Sequence, residues 1–232
     1  MILSVIIPVY NEVKTIKTIV YKILNIKDLK TQIIIVDDCS IDGTRQIIKK
    51  ELMKKVDKTI FHKKNSGKGS AIISAKKFIK GDIVIIQDAD LEYNPKDYKK
   101  LILPILKKKT SVVYGNRVKK NNRYNSKSFI SLSRIFFNHI LTIFSNLINN
   151  QNLSDAHTCY KTFDAKLFKR INLKEKDFAF CPEVTTKLSR INEKIIEVPI
   201  NYSGRTKAEG KKIGIVDGFR AIYVILKYKL LK

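Results

Sequence analysis

Asp82-Ile83-Val84-Ile85-Ile86 runs without a break into Gln87-Asp88-Ala89-Asp90-Leu91-Glu92. The first part is apolar and β-branched after its opening acid, which predicts a strand buried on both faces. The second part sets three acids at i, i+2 and i+4 directly beyond that strand. Working outward, Leu3 to Pro8 (LSVIIP), Gln32 to Val36 (QIIIV) and the brief Thr59 to His62 read as further strands. Residues 12–27 space Val13, Ile16, Ile19, Val20, Ile23 and Leu24 for a helix. Further helices are predicted from about Gly43 to Lys55 and over 68–79. Apolar strands alternating with amphipathic helices predict an α/β fold, a mostly parallel central sheet covered by helices on both faces.

In such sheets ligands gather at the carboxyl ends of the strands. Those ends carry Pro8-Val9-Tyr10-Asn11-Glu12, then Asp37-Asp38 with Ser40-Ile41-Asp42-Gly43-Thr44, then the Asp88/Asp90/Glu92 set. Asp42 is expected to cap a helix. Asp88, Asp90 and Glu92 repel one another on a single turn, and a hard divalent cation bound through oxygen relieves that repulsion. Asn65-Ser66-Gly67-Lys68-Gly69-Ser70 contains a GKG, but a phosphate-binding loop needs Gly-Lys-Ser/Thr, and Gly69 follows Lys68 here. No strand ends in GxGxxG either, so neither a P-loop nucleotidase nor a Rossmann dehydrogenase is expected. Lys68 reads equally as a phosphate contact or as an ordinary first-turn lysine.

The 232 residues include 46 Lys+Arg against 21 Asp+Glu, a formal net charge of +25. With 44% hydrophobic residues this is a folded chain and not a basic disordered tail, and nine Gly with five Pro exclude a collagen-like repeat. Only eight of the basic residues are Arg. The lysine excess fits either an AT-rich coding bias or an anionic partner: nucleic acid, a membrane surface or a phosphorylated substrate. Between Asp97 and Asp155 lie 57 residues with eleven Lys or Arg and no acid, which are expected to face something negative. Cys39, Cys159 and Cys181 are widely spaced and fit neither a disulfide framework nor a zinc site, which points to a reducing cytoplasm. Met1-Ile2-Leu3-Ser4 enters a strand at once, so no signal peptide is expected, and no apolar run is long enough to predict a spanning helix.

The segments Val5-Ile6-Ile7-Pro8-Val9-Tyr10-Asn11-Glu12, Ile35 through Thr44, Asn65-Ser66-Gly67-Lys68-Gly69 and Asp88-Ala89-Asp90, in that order, resemble the family 2 glycosyltransferases of the GT-A fold. Gly115-Asn116-Arg117, Ser154-Asp155, Glu183, Glu197-Val198-Pro199-Ile200 and Arg205 through Lys211 are similar to the dolichyl-phosphate mannosyltransferase branch, and the likeness runs to about residue 220. The resemblance implies a single domain over 1–232, with a nucleotide-sugar half at 1–117 and an acceptor half at 118–232. It implies that Pro8, Tyr10 and Glu12 hold the nucleobase and ribose of a UDP- or GDP-linked sugar, with Ile35 and Asp37 closing that pocket. Asp88, Ala89 and Asp90 become a DxD element, where Asp90 binds Mg²⁺ or Mn²⁺ against the diphosphate, with Asp88 beside it and Glu92 as a further ligand. Arg117, Arg205 and Lys211 become phosphate contacts to donor or acceptor. Where the mannosyltransferases often carry a Gly-Phe/Tyr-Arg-like segment, this chain reads Asp155-Ala156-His157-Thr158-Cys159-Tyr160-Lys161, which leaves sugar and acceptor open.

A sugar hydroxyl needs a carboxylate base, whereas a lipid phosphate is already ionised at pH 7. The charge pattern favours the second, so the expected reaction is inverting transfer to a polyprenyl phosphate at the cytoplasmic membrane face. Asp155 is the candidate base or acceptor-orienting group, with Glu183 second. Residues 128–148 and 218–232 read as amphipathic helices suited to a bilayer surface, to each other, to a second copy or to a separate membrane partner. Transfer to a saccharide hydroxyl is the alternative. A nucleic-acid-binding module accounts for the charge but not for the acid turn, so no nucleic-acid partner is expected. A nucleotidyltransferase normally opens with a glycine-rich loop that Pro8 to Glu12 does not supply.

Overall fold

The computed structural model describes residues 1–118, 129–205 and 215–230. Strand β1 (Ile2–Val9) is buried at every position after Ile2 and pairs in parallel along its whole length with β2 (Lys30–Asp37). Helix α1 (Ile16–Leu24) makes the crossover, burying Ile16, Ile19, Val20 and Ile23, its residues at helical spacing. Helix α2 (Thr44–Ile47) continues as a π-helical turn over Ile48–Leu52, where one regular helix was expected to Lys55. β3 (Lys58–Phe61) pairs with β2 at the edge, α3 (Lys68–Ala75) follows, and β4 (Ile83–Ile86) pairs with β1 on its other side.

Beyond the acid turn come α4 (Tyr98–Leu106), β5 (Val112–Asn116), α5 (Phe129–Asn149), β6 (Lys161–Asp164), α6 (Ala165–Arg170), α7 (Phe180–Arg190), β7 (Ile195–Pro199) and α8 (Ile215–Leu230). The seven strands lie in the order β3-β2-β1-β4-β6-β5-β7. All neighbours are parallel except β6, which runs antiparallel to both β4 and β5. The mostly parallel α/β sheet is therefore as the sequence predicts, with one reversed strand inserted. Its sequence, Lys-Thr-Phe-Asp, hides it, because Lys161 and Thr162 are wholly buried polar residues in the middle of a sheet.

Side-chain alternation sends Ile6, Ile34, Val84 and Ile86 to one face, against α3, α6 and α7. It sends Val5, Ile7, Ile33 and Ile85 to the other, against α1, the π turn and α4. Helices α5 and α8 pack on each other and on α7. Among the described residues no helix is long and apolar enough to cross a membrane.

Candidate active site

The carboxyl ends of β1, β2 and β4 converge, and loop-to-loop hydrogen bonds stitch them together. Asn11 turns with a positive φ of 53° and its Oδ1 accepts from the Ile41 N–H at 2.9 Å, while Ser40 Oγ accepts from the Asn11 N–H at 2.9 Å. Thr44 Oγ1 accepts the Glu12 N–H at 2.8 Å. Asp42 Oδ1 accepts the Thr44 N–H at 3.0 Å in the turn ahead of α2, whose N-cap is Gly43 and not Asp42. Asp37 is wholly buried and takes Arg45 Nε at 2.6 Å. Ile35 belongs to the apolar core beneath this rim, Pro8 is buried beside it, and Tyr10 is half-buried at the mouth.

Asp38 accepts the Ser66 and Gly67 N–H groups at 2.9 and 2.7 Å and faces His62 Nδ1 at 2.6 Å, which fixes the glycine loop. Gly67 has a φ of 91°, and a Cβ there would meet the Lys176 carbonyl oxygen at 2.5 Å. The first N–H groups of α3 are taken by protein carbonyls: Ser70 donates to Lys176 at 2.9 Å and Gly69 to Asp177 at 3.3 Å. The loop is therefore a docking cradle for residues 174–177 and not a phosphate nest. Its one cation turned to the rim is Lys68, whose ammonium pairs with Asp88.

The acid turn is folded tightly. Leu91 sits at φ 66°, in the left-handed region that a bulky residue seldom adopts. Ala89 is buried between the two aspartates. Asp90 accepts the Glu92 N–H at 3.1 Å and Arg205 Nη2 at 3.1 Å. The same guanidinium forks onto Glu12 at 3.0 Å on each oxygen. Burial, and then repulsion from Asp88 and Glu92, pushes the Asp90 carboxyl up to about 7 despite Arg205. Glu92 is turned sideways: its oxygens accept the Tyr202 hydroxyl at 2.8 Å and the Arg205 N–H at 2.7 Å. It thereby splints the segment that carries Arg205. Among the described residues no three His, Cys, Asp or Glu side chains converge as a ready metal cluster. Asp88 and Asp90 nevertheless supply hard oxygen donors, and with Glu12 and Glu92 they set four carboxyl groups against Lys68 and Arg205. One or two carboxylates completed by substrate phosphates is the usual binding mode of Mg²⁺.

The second cluster lies across a pair of tyrosines, Tyr93 and Tyr202, whose ring centroids are 5.2 Å apart. Arg117 meets Asp155 in a two-pronged pair, Nε to Oδ2 at 2.7 Å and Nη2 to Oδ1 at 2.6 Å, with its own N–H adding a third bond at 3.1 Å. The guanidinium also lies 5.2 Å from the centre of the Tyr202 ring. Burial works against the Asp155 charge, but Arg117 outweighs it and holds the carboxyl below its usual range. A carboxylate so held is a weak proton acceptor, and both of its oxygens are engaged in orienting Arg117. Glu197 fixes the turn from behind, accepting the Ser154 and Asp155 N–H groups at 2.9 and 2.8 Å. Glu183 is wholly buried and holds the Lys174 and Glu175 N–H groups at 2.7 and 2.8 Å, an anchor for the cradle loop. Lys211 lies outside the described residues.

A sequence profile described as Glycosyl transferase family 2 matches residues 4–171. The chain belongs to glycosyl transferase family 2. This family 2 glycosyltransferase is 30% identical over 252 residues to the UDP-N-acetylglucosamine--dolichyl-phosphate N-acetylglucosaminyltransferase of Methanococcus voltae, covering 99% of its own length and 96% of that protein. It is 28% identical over 233 residues to the dolichol-phosphate mannosyltransferase of Pyrococcus furiosus, with 97% of this chain spanning 64% of that longer one. An undecaprenyl-phosphate mannosyltransferase of Micrococcus luteus is 24% identical, at 94% and 90% coverage. Among solved structures, glucosyl-3-phosphoglycerate synthase from Mycobacterium tuberculosis, in complex with Mn²⁺ and UDP-glucose, superposes with a TM-score of 0.75 at 15% identity, over 99% of this chain and 79% of that one. Mannosyl-3-phosphoglycerate synthase from Rubrobacter xylanophilus gives 0.72 at 18%, over 98% and 72%. At such identities the likeness is one of fold, the GT-A sheet that the motifs imply.

For this family 2 glycosyltransferase, sequence reasoning picked Glu12, Asp88, Asp90, Arg117, Asp155 and Arg205, and the fold brings them to one rim in two groups. It gave no roles to Asp38, Tyr93, Tyr202 and Glu197, which hold those groups in place. Asp38 and Glu197 stand inside the quoted motifs; their polarity was visible, their partners were not.

Proposed function

We propose that the chain transfers a sugar from a nucleoside-diphosphate sugar to the phosphate of a polyprenyl lipid, with inversion, at a bilayer surface. The observation that carries this reading is the two-pronged Arg117–Asp155 pair. It presents an oriented cation at the acceptor side while engaging the carboxylate that a hydroxyl acceptor would need as base. A phosphate acceptor needs no proton removed. Its oxygen attacks the anomeric carbon, the C–O bond to the diphosphate breaks, and the leaving group takes the electron pair. Glu12, with Tyr10 and the buried Pro8, lines the nucleoside side, and Ile35 and Asp37 support that wall from below. Asp88 and Asp90 would hold Mg²⁺ or Mn²⁺, which when bound neutralises charge on the departing diphosphate. Arg205, now on Glu12 and Asp90, sits where it can follow that charge. Lys211 is a further phosphate contact on the same reading.

The lipid side has support in the two long helices. α5 leaves Phe136, Ile140, Ile143 and Leu147 exposed in one helical stripe, and α8 leaves Val216, Phe219, Tyr223, Leu226 and Leu230 in another. A bilayer covers such stripes where the acceptor is itself a lipid. The basic residues of α8 contribute less than their number suggests, because Arg220 and Lys227 pair with Glu175. The deciding test offers UDP- and GDP-sugars with Mn²⁺ or Mg²⁺, first in a thermal-shift screen and then in turnover with polyprenyl phosphate, polyprenol and an oligosaccharide. Product only with the lipid phosphate is expected. Equal turnover on a hydroxyl acceptor would overturn the acceptor assignment.

A further inference from the structure

β4 closes on a buried amide. Gln87 follows Ile83–Ile86, all of them buried, and is itself wholly buried. Its N–H donates to the Ile6 carbonyl at 2.9 Å, so its backbone keeps the register of the parallel sheet. A primary amide has two N–H donors and two acceptor lone pairs, and leaving them unmet inside a protein is costly. Gln87 meets all four. Its Oε1 accepts from the Tyr98 hydroxyl and from the Tyr160 hydroxyl, each at 2.9 Å. Its Nε2 donates to the Asp88 carbonyl at 3.0 Å and to the Tyr93 carbonyl at 3.4 Å. The amide cannot be turned over, because carbonyl oxygens only accept and the nitrogen must face them. The Tyr160 hydroxyl also lies 3.0 Å from the Asn94 carbonyl oxygen, so its one proton is shared between two acceptors.

The partners bracket the acid turn. Asp88 and Tyr93 stand at its two ends, and a single NH₂ group bridges their carbonyls. Between them Leu91 is held at φ 66° and three carboxyl groups crowd one another. Such strain persists only where the surroundings over-determine the backbone. The four bonds of the amide go to backbone carbonyls and tyrosine hydroxyls and none to a carboxylate, so Gln87 acts on the rim through the main chain. Tyr98 opens α4 and Tyr160 directly precedes β6, so the same amide refers the turn to two further elements. Tyr93 carries the link onward, its hydroxyl accepting the Cys159 N–H at 3.1 Å and meeting Arg117 Nη1 at 3.5 Å.

We propose that Gln87 is a positioning residue, the pin that keeps the Asp88–Tyr93 turn in the shape that takes a divalent cation against a nucleoside diphosphate. The cation rests on the function proposed above; the pin across the turn does not. Groups behind the direct ligands of a metal orient those ligands, and removing one lowers metal affinity or activity by about 10–100-fold. Methionine matches glutamine in length and offers no N–H, so Gln87→Met unties both carbonyls without emptying the site. Tyr98→Phe keeps the ring and takes one of the two hydroxyls from Oε1.

The test uses the full chain with Mn²⁺ and either UDP or GDP. Mn²⁺ binding to the nucleotide-saturated protein is read by electron paramagnetic resonance, and nucleotide affinity without metal by calorimetry. Hydrogen exchange over residues 88–93 is followed in the metal-free protein. In Q87M, Mn²⁺ affinity is expected to fall about 10–100-fold while metal-free nucleotide affinity stays at the wild-type value. Exchange over 88–93 speeds up by about tenfold. Y98F moves both readouts the same way by less, and Q87M with Y98F is no worse than Q87M alone, because the two groups act as one unit. Wild-type Mn²⁺ affinity in folded Q87M, an equal loss of metal-free nucleotide affinity, or additive losses in the double variant would each overturn the proposal. If Q87M does not fold, Y98F decides, and unchanged exchange and Mn²⁺ affinity there overturn it. A wild type that binds Mn²⁺ with neither nucleotide removes the proposed donor chemistry instead, and hydrogen exchange still decides the pin.

Discussion

Arg117 meets both oxygens of Asp155 and lies over Tyr202, so its direction is set on two sides. A lysine there is a point charge that cannot fill the same fork. Arg117→Lys is expected to lower kcat/KM by about 100-fold, with the rise in KM confined to the acceptor, as steady-state kinetics with both substrates varied will read. Glu197→Gln leaves one acceptor oxygen where two N–H groups need one each. It should lose about 1–2 kcal/mol of stability in urea denaturation and slow turnover through a looser Arg117, without changing nucleotide affinity. Asp90→Asn removes a donor oxygen from a crowded acid turn. Its expected signature is the loss of stabilisation by Mn²⁺ in a nucleotide thermal-shift assay, with the metal-free melting temperature unchanged or raised by relief of repulsion. A full metal response in that variant would remove Asp90 from the metal site. What was legible at this scale was identity and not partnership. The motifs point to Asp90, Arg117 and Asp155, yet the Glu197 that fixes Asp155 is 42 residues away in the chain and meets it only through the sheet.

Among the elements, the apolar runs QIIIV and DIVII declared β2 and β4, because burial on both faces of a parallel sheet demands unbroken β-branched residues. β6 gave no such sign, since its buried Lys161 is accommodated locally. Its ammonium lies 3.4 Å from the centre of the Tyr114 ring and donates to the Ala156 carbonyl at 3.0 Å. The two long helices were legible as amphipathic, but not the pairing of α8 cations with Glu175 that turns its charge inward. The outward stripes then carry any membrane contact through apolar area. Leu147 and Leu230, each 76% exposed, can be changed at little cost to the fold. Leu147→Glu with Leu230→Glu is expected to abolish co-sedimentation with liposomes while nucleotide affinity stays at the wild-type value. Unchanged sedimentation would assign the stripes to a protein partner.

For the whole molecule, acid sensitivity has an identifiable source near the Arg117–Asp155 pair. His157 leaves its Nε2 without a partner among the described residues, and burial followed by Lys161 pushes its pKa down from 6.5 to about 4. A group whose folded value is lowered favours the fold fully above its unfolded value, and that advantage is lost as pH falls through the folded one. Urea denaturation of the wild type should therefore lose up to about 3 kcal/mol between pH 6.5 and 4 from this group, a limb that His157→Asn flattens. The net charge of +25 is read differently once several of its members are located, because Arg45, Lys68, Arg117 and Arg205 are ion-paired at the rim. The strand order β4-β6-β5 has a further bearing on how the molecule comes into being. A ribosome releases β5 before β6, yet β5 touches β4 only by way of β6. Until Asp164 has emerged, β4 presents an open edge, and the rim at the strand ends stands on an unfinished sheet. The N-terminal half is thus no exchangeable cassette: cut at residue 117 and expressed alone, it would offer that edge to its own copies and precipitate.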